Sequence, residues 1–293
     1  MEFAMVCNKL SWEEKSILDA AKSRDVKVNI ILNTNYFANL EKDTVSTELI
    51  LQRSLSYVRG LFITAILENF GHTVINSYKT SELCGNKLLT SLALIKKGIP
   101  TPKTYCAFTE ESALEALNEL GYPTVIKPVI GSWGRMVALL KDQDFAKAIL
   151  EEREVMGDIF QKIYYLQEYV FKPARNMKQY LRRDKVSRDF RVFTIGDEVI
   201  ATMGRHEMEG DWRSTATRGA RTESIEITPE IRELALKAAK VVEGEILGID
   251  IIEGEQLMVN EINHVSGFQA LSNTTGIDVG GRIVDYLIKK MKK

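Results

Sequence analysis

Two apolar runs late in the chain carry the residues best suited to chemistry. Gly248-Ile249-Asp250-Ile251-Ile252 and Val259-Asn260-Glu261-Ile262-Asn263 are both strand-like. Asp250, Glu261 and Asn263 offer two carboxylates and one amide oxygen. Hard donors of this kind hold Mg²⁺ well once a substrate phosphate completes the shell. Glu261 and Asn263 stand two residues apart, so a strand turns both to one face. An ordinary hairpin with scattered polar residues fits the same pattern.

Cations and a glycine loop come earlier. Lys87 lies near an expected helix start, and Lys127 ends an apolar run just before Pro128. Gly131-Ser132-Trp133-Gly134-Arg135 follows, between two strand signals. Its glycines let backbone N–H groups approach an anion closely. The loop feeds a strand, whereas Walker A loops and dinucleotide fingerprints feed a helix. Alone it is also a plain hairpin turn; with both lysines it forms a cationic cradle suited to a polyphosphate. Gln167-Glu168-Tyr169-Val170 closes another strand. Its backbone could bond an adenine edge while Glu168 takes a ribose hydroxyl; a simple edge strand is the other reading. Arg191, Arg205, Arg213 and Arg218 offer forked guanidinium groups for a carboxylate or a transferring phosphoryl group. Solvated surface arginines are the alternative.

These residues need scaffolds. Strand and helix signals alternate at the start: strands at 3–7 and 26–32, a helix opened by the Ser11-Trp12-Glu13-Glu14 capping box, a helix at 53–70, and a short strand at 73–76. A small open sheet over 1–84 is expected. A helix at 85–97, strands at 104–108, 124–127, 136–140 and 164–170, and helices at 110–120 and 142–156 form a second, α+β module over 85–170. From 171 to 293 long strands dominate (189–195, 198–205, 248–252, 256–262), with a helix begun by Thr228-Pro229-Glu230 and another at 281–290. Short linkers predict three packed modules with a cleft between them.

The bulk numbers exclude little and mislead on nothing. The chain has 293 residues, 45% apolar and 27% charged, with a net charge of −1, which gives no global case for nucleic acid. No apolar run approaches the roughly 20 residues needed to span a bilayer. The start reads as a first strand, not a signal peptide. Cys7, Cys84 and Cys106 are odd in number and lack CxxC spacing, as expected of idle thiols in a reducing cytoplasm. His72, His206 and His264 lack zinc-ligand spacing.

In their order along the chain, Lys87, Lys127, the Gly131 loop, the Gln167 segment, the arginines and the Asp250/Glu261/Asn263 set resemble the RimK-like branch of the ATP-grasp carboxylate–amine ligases. Within it the chain is similar to the LysX/ArgX ligases, through SWEEK at 11–15, PVIGSWGRMV at 128–137, EREVMG at 152–157 and VNEINH at 259–264. The resemblance implies an ATP-grasp fold: an N-terminal preATP-grasp sheet, a central lid and a C-terminal catalytic module. It implies that Lys87 and Lys127 hold ATP phosphates beneath the 131–135 loop. Gln167, Glu168 and Tyr169 would hold adenosine, and Asp250, Glu261 and Asn263 would hold Mg²⁺. Arg191, Arg205 and Arg218 would stabilise the phosphoryl group and an acyl-phosphate. The expected partner is a small acidic amino-group carrier protein, with its C-terminal glutamate side chain as the activated acid. The attacking amine would be glutamate or 2-aminoadipate, and a homotetramer is the family habit.

Departures narrow this. Thr215 stands where RimK-like chains usually carry Asn, and residues 176–188 form a basic insertion, either a solvated loop or a carrier docking surface. Arg205, Asn263 and the segment holding Gly267, Phe268, Ala270 and Leu271 are the expected substrate contacts. LysX-like chains carry Glu-Phe where Gly267-Phe268 stand and a polar Asn-Thr or Asn-Ser pair where Ala270-Leu271 stand; ArgX-like ones carry Gly-Phe at the second pair. Ala270-Leu271 is nearer the apolar type, which leans toward glutamate. The competing readings are a glutamate ligase acting on a pterin or deazaflavin tail, a non-catalytic ATP-binding regulator and an interaction scaffold. His264 is discounted as a base, because a strand neighbour of Asn263 should face the opposite side.

Overall fold

The structure is a computed structural model describing residues 1–131, 134–170, 189–206 and 221–292. Its first sheet is parallel, in the order β2-β1-β3-β4, from β1 (Glu2–Cys7), β2 (Lys27–Leu32), β3 (Leu49–Gln52) and β4 (Thr73–Ile75). Helices α1 (Trp12–Lys22) and α2 (Tyr57–Asn69) are its crossovers. Ser11 opens α1 with its N–H donated to the Glu14 carboxylate at 3.2 Å. Strand β3 is absent from the sequence reading: Leu-Ile-Leu-Gln is buried at every position, so it shows no alternation.

The helix expected over 85–97 is α4 (Lys87–Lys96), and a further helix the sequence reading lacked, α3 (Tyr78–Gly85), precedes it. Asn86 separates them in extended backbone and caps α4, its side-chain oxygen accepting from the N–H groups of Leu88 and Leu89 at 3.0 and 3.3 Å. Gly85 has to be small: an added Cβ would lie 1.8 Å from the Tyr57 ring.

The second sheet is antiparallel, in the order β5-β8-β6-β7, from β5 (Thr104–Ala107), β6 (Thr124–Lys127), β7 (Ala138–Leu140) and β8 (Tyr164–Glu168). Helices α5 (Glu110–Leu120) and α6 (Gln143–Met156) cover it. It has its own core, including Leu117, Ile126, Leu140, Leu150 and Leu166.

The third sheet is antiparallel, in the order β11-β10-β9-β12-β13: β9 (Asp189–Ile195), β10 (Glu198–Arg205), β11 (Thr222–Ser224), β12 (Ile246–Glu253) and β13 (Leu257–Asn263). α7 (Pro229–Val241) follows β11 and packs into a core with Val192, Ile249 and Val259. α8 (Gln269–Thr275) and α9 (Val279–Met291) follow β13, where Phe193, Phe268, Leu271 and Ile283 share one core with Phe3, Met5 and Ile17 of the first module. The first and third sheets are therefore fused through a common interior. α8 and β11 escaped the sequence reading because both are short and largely polar.

Candidate active site

One face of the third sheet presents a transverse row. Glu261 is opposite Asp250, Asp250 is opposite Arg191, and Arg191 is opposite Met203. Partners across an antiparallel ladder share a face, and all four line one cavity of about 710 Å³. The next row along pairs Arg205 with Asp189, which also line it. The volume falls within the roughly 300–1,000 Å³ of small-ligand sites.

The row is dense in charge. Arg191 grips Asp250 with two bonds, Nε to Oδ1 at 2.5 Å and Nη2 to Oδ2 at 3.0 Å. Arg205 reaches Asp250 through Nη2 at 3.0 Å and Asp189 through Nε at 2.5 Å. Burial alone would raise the Asp250 carboxyl; Arg191 and Arg205 overcome it and hold the group below the usual carboxylate range. Burial likewise opposes the charge on Arg205, and Asp189 and Asp250 more than restore it. Paired forks of this kind are fixed before any substrate arrives, as electrostatic stabilisation requires.

Two lysines adjoin the row at its β13 end. Lys87, the first residue of α4, donates to Gly131 O at 2.6 Å and pairs with Glu261 at 3.0 Å. Lys127, at the end of β6, donates to Gln167 Oε1 at 2.5 Å and Asn260 Oδ1 at 3.0 Å. Burial pushes its ammonium down to about 8, with Glu261 partly offsetting this and Lys87 adding to it. Asn260 reaches this face because of a bulge: the register shifts between Asp250 and Ile251, so Glu261 is paired with Asp250 and Val259 with Ile251, which leaves Asn260 as the extra residue. Simple alternation would have sent it into the core.

The structure brings together Lys87, Lys127, Gly131, Gly134, Arg135, Gln167, Glu168, Tyr169, Arg191, Arg205, Asp250, Glu261, Asn263, Gly267, Ala270 and Leu271 around the cavity. Ser132, Trp133, Arg213, Thr215, Arg218 and the 176–188 insertion lie outside the described residues. Five expectations change in detail. Gln167 lies in an interior strand paired on both sides, and its buried side chain receives Lys127 and donates to Thr104 and Tyr165. Its side chain therefore holds Lys127, while Tyr169 and Val170 line the cavity beyond the strand end. Glu168 accepts the Lys103 N–H at 2.7 Å, which ties one of its oxygens to the backbone. Phe268 does not line the cavity; it is fully buried against Trp12 and Phe193. Leu271, although at the cavity wall, is 1% exposed and belongs to the shared core. His264 does line the cavity, because β13 ends at Asn263 and alternation stops there. Burial pushes its imidazole down to about 4, so it is neutral at ordinary pH.

Residues without a sequence signal complete the wall. Glu13, Ser54 and Tyr57 reach it from the first module, and Ser266 Oγ accepts from Arg191 Nη1 at 2.7 Å. Buried Arg153 of α6 donates to the Met136 carbonyl at 2.7 Å, just beyond the glycine loop. The donor types suit a hard cation, although Arg191 engages both Asp250 oxygens and Lys87 pairs with Glu261. No three of His, Cys, Asp and Glu gather round one point among the described residues, so Asp250, Glu261 and the Asn263 oxygen would hold an ion only with outside oxygens added. The Asn263 amide nitrogen is the atom engaged by protein, donating to Gly248 O at 3.4 Å.

A parallel sheet followed by a small antiparallel sheet and a larger one bearing an acid-and-arginine row is the arrangement of the ATP-grasp class. Profile matching agrees: the RimK-like ATP-grasp domain matches residues 84–287 and the LysX preATP-grasp domain matches 3–83. The chain belongs to the RimK-like ATP-grasp family, and it is a ligase that forms C–N bonds. An alpha-aminoadipate–LysW ligase LysX of Saccharolobus solfataricus is 36% identical, covering 96% of this chain and 99% of its own. A glutamate–LysW ligase ArgX of Sulfolobus acidocaldarius is 33% identical, covering 98% of each. Among solved structures, a RimK domain ATP-grasp protein of Sphaerobacter thermophilus superposes with a TM-score of 0.79 at 22% identity, covering 98% of this chain and 99% of that one. The ATP-grasp ligase PsnB, solved with a precursor variant, Mg and ADP, superposes at 0.74 with 20% identity, covering 98% and 97%. No helix among the described residues is long and apolar enough to cross a membrane.

Proposed function

We propose that this chain joins the α-amino group of glutamate or 2-aminoadipate to the side-chain carboxylate of a carrier protein's C-terminal glutamate, consuming ATP. The observation that carries the reading is the Glu261–Asp250–Arg191 row beside Lys87 and Lys127 in one cavity. Relatives named for LysW ligation, at 36% and 33% identity over nearly the whole chain, supply the carrier and both amino acids. Ala270 and Leu271 incline the choice toward glutamate. The three working modules are 1–84, 85–170 and 171–293.

The chemistry needs placement and charge neutralisation more than a protein nucleophile. Lys87 and Lys127 hold the phosphates, beside Gly131 and Gly134. The acceptor carboxylate attacks the γ-phosphorus, the bond from that phosphorus to the bridging oxygen breaks, and ADP leaves with the electron pair. Arg191 and Arg205 neutralise the transferring group and the acyl-phosphate. The amine then adds to the acyl carbon, loses a proton, and expels phosphate. Asp250, Glu261 and Asn263 would hold Mg²⁺, which when bound neutralises phosphate charge. Tyr169 and Val170 accommodate the base.

The test is ADP release by purified protein with ATP, Mg²⁺, a carrier ending in glutamate, and each amino acid in turn. Carrier- and amino-acid-dependent release supports the reading. Release with a pterin or deazaflavin acceptor in place of the carrier would replace it.

A further inference from the structure

The wall formed by residues 265–271 is held from the first module. Glu13, at the start of α1, lines the cavity, and its Oε1 accepts the N–H groups of Phe268 and Gln269 at 3.2 and 3.3 Å. Those are the N-cap and first residue of α8, whose N–H groups lack partners inside their own helix. Gly267 allows the approach: a Cβ there would lie 3.3 Å from the same oxygen. The neighbouring backbone is held separately. Arg53, 4% exposed, donates to Ser266 O at 2.9 Å, pairs with Glu14 at 3.2 Å, and stacks 5.5 Å over the Phe268 ring. Trp12 meets the other side of that ring edge-on at 5.8 Å.

We infer that Glu13 is a positioning residue for amino-acid recognition, clamping the 265–269 segment from another module so that the wall facing the amino acid keeps one shape. This rests on the ligase reading above, with that wall meeting the amino-acid substrate. Arg53 and Trp12 fasten the segment to the core and would be costly to remove. Glu13 sits half-exposed at the cavity rim, so its loss is local.

The test pairs amide hydrogen exchange with steady-state kinetics on Glu13→Ala, Glu13→Gln and Gly267→Ala. Glu13→Ala should speed exchange at Phe268 and Gln269 about tenfold and raise KM for the amino acid by a similar factor, as two lost hydrogen bonds to a carboxylate imply. KM for ATP should stay within about twofold, since the nucleotide side touches neither residue. Glu13→Gln keeps an acceptor oxygen and should restore both readouts. Gly267→Ala crowds the same oxygen and should raise the amino-acid KM while leaving that for ATP alone. Unchanged exchange in Glu13→Ala, or equal rises in KM for every substrate, overturns the inference. If the unaltered protein releases no ADP with carrier and either amino acid, the ligation reading falls instead; exchange needs no substrate and still accepts or rejects the clamp.

Discussion

Asp250 and Glu261 face one another across β12 and β13, yet their charges are balanced by different elements. Two arginines of the same sheet surround Asp250, whereas Glu261 is met by Lys87 from the start of α4. The two carboxylates should therefore respond differently to neutralisation. Asp250→Asn strands two buried guanidinium groups and should cost about 3–5 kcal/mol of stability. Glu261→Gln breaks a more open pair and should cost about 1 kcal/mol or less. Both should slow ADP formation at least about 100-fold, the scale of losing one electrostatic contact to a reacting group. Denaturant melts alongside ADP assays separate the two effects.

Lys127 gives a pH signature. Its ammonium titrates near 8 in the free protein, so it is charged below that pH and neutral above. kcat/KM for ATP, which reports the free enzyme, should fall as pH rises through about 8. Stability should move the other way. Between about 8 and the ordinary 10.5 the folded chain has released a proton that the unfolded chain keeps, so stability from this group rises with pH. Lys127→Met should flatten both trends relative to the unaltered protein. A descending limb unmoved in that variant would assign the titration elsewhere.

Arg153 anchors the far end of the glycine loop through the Met136 carbonyl, where Met136 holds a left-handed φ of 57°. Arg153→Met keeps the length and removes the donor. Losing a charged donor to a backbone carbonyl costs about 1.5–3 kcal/mol. The cost should appear as a tenfold or greater rise in KM for ATP, with KM for the amino acid unchanged.

Asn76 is a test of inter-module stability. Its side chain donates to Ile246 O and His264 O at 2.7 and 2.8 Å and accepts from Glu245 and Ile246 N–H at 2.8 and 3.1 Å. Asn76→Ala should lower unfolding free energy by about 2–4 kcal/mol, since buried backbone groups lose their partners. Asn76→Asp should not rescue it, because a carboxylate cannot donate to the two carbonyls. Urea melts read this directly.

The sequence exposed whatever depended on short-range pattern. Asp250, Glu261, Asn263, Arg191 and Arg205 stood out because polar groups interrupted apolar alternation, and that alternation is what aims them. Helix caps at Ser11 and Thr228 were legible for the same local reason. Three kinds of information were not local. The bulge at Asn260 leaves no mark of its own in composition. The inward turn of Phe268 depends on Trp12 and Phe193, both far away in sequence. Glu13 and Arg53 read as a surface helix start and a helix residue; only the fusion of the first and third cores brings them to residues 266–269.

That fusion has an evolutionary consequence. Sheets joined by a hinge can be exchanged between paralogues as cassettes, but this N-terminal sheet cannot be grafted cleanly. A chimera inheriting a foreign first module would lose the Glu13, Arg53 and Asn76 ties together, and residues 265–271 would arrive without their mould. Changes in the shape of that wall should therefore spread by paired changes at both ends of the polypeptide, one near residue 13 and one near residue 267.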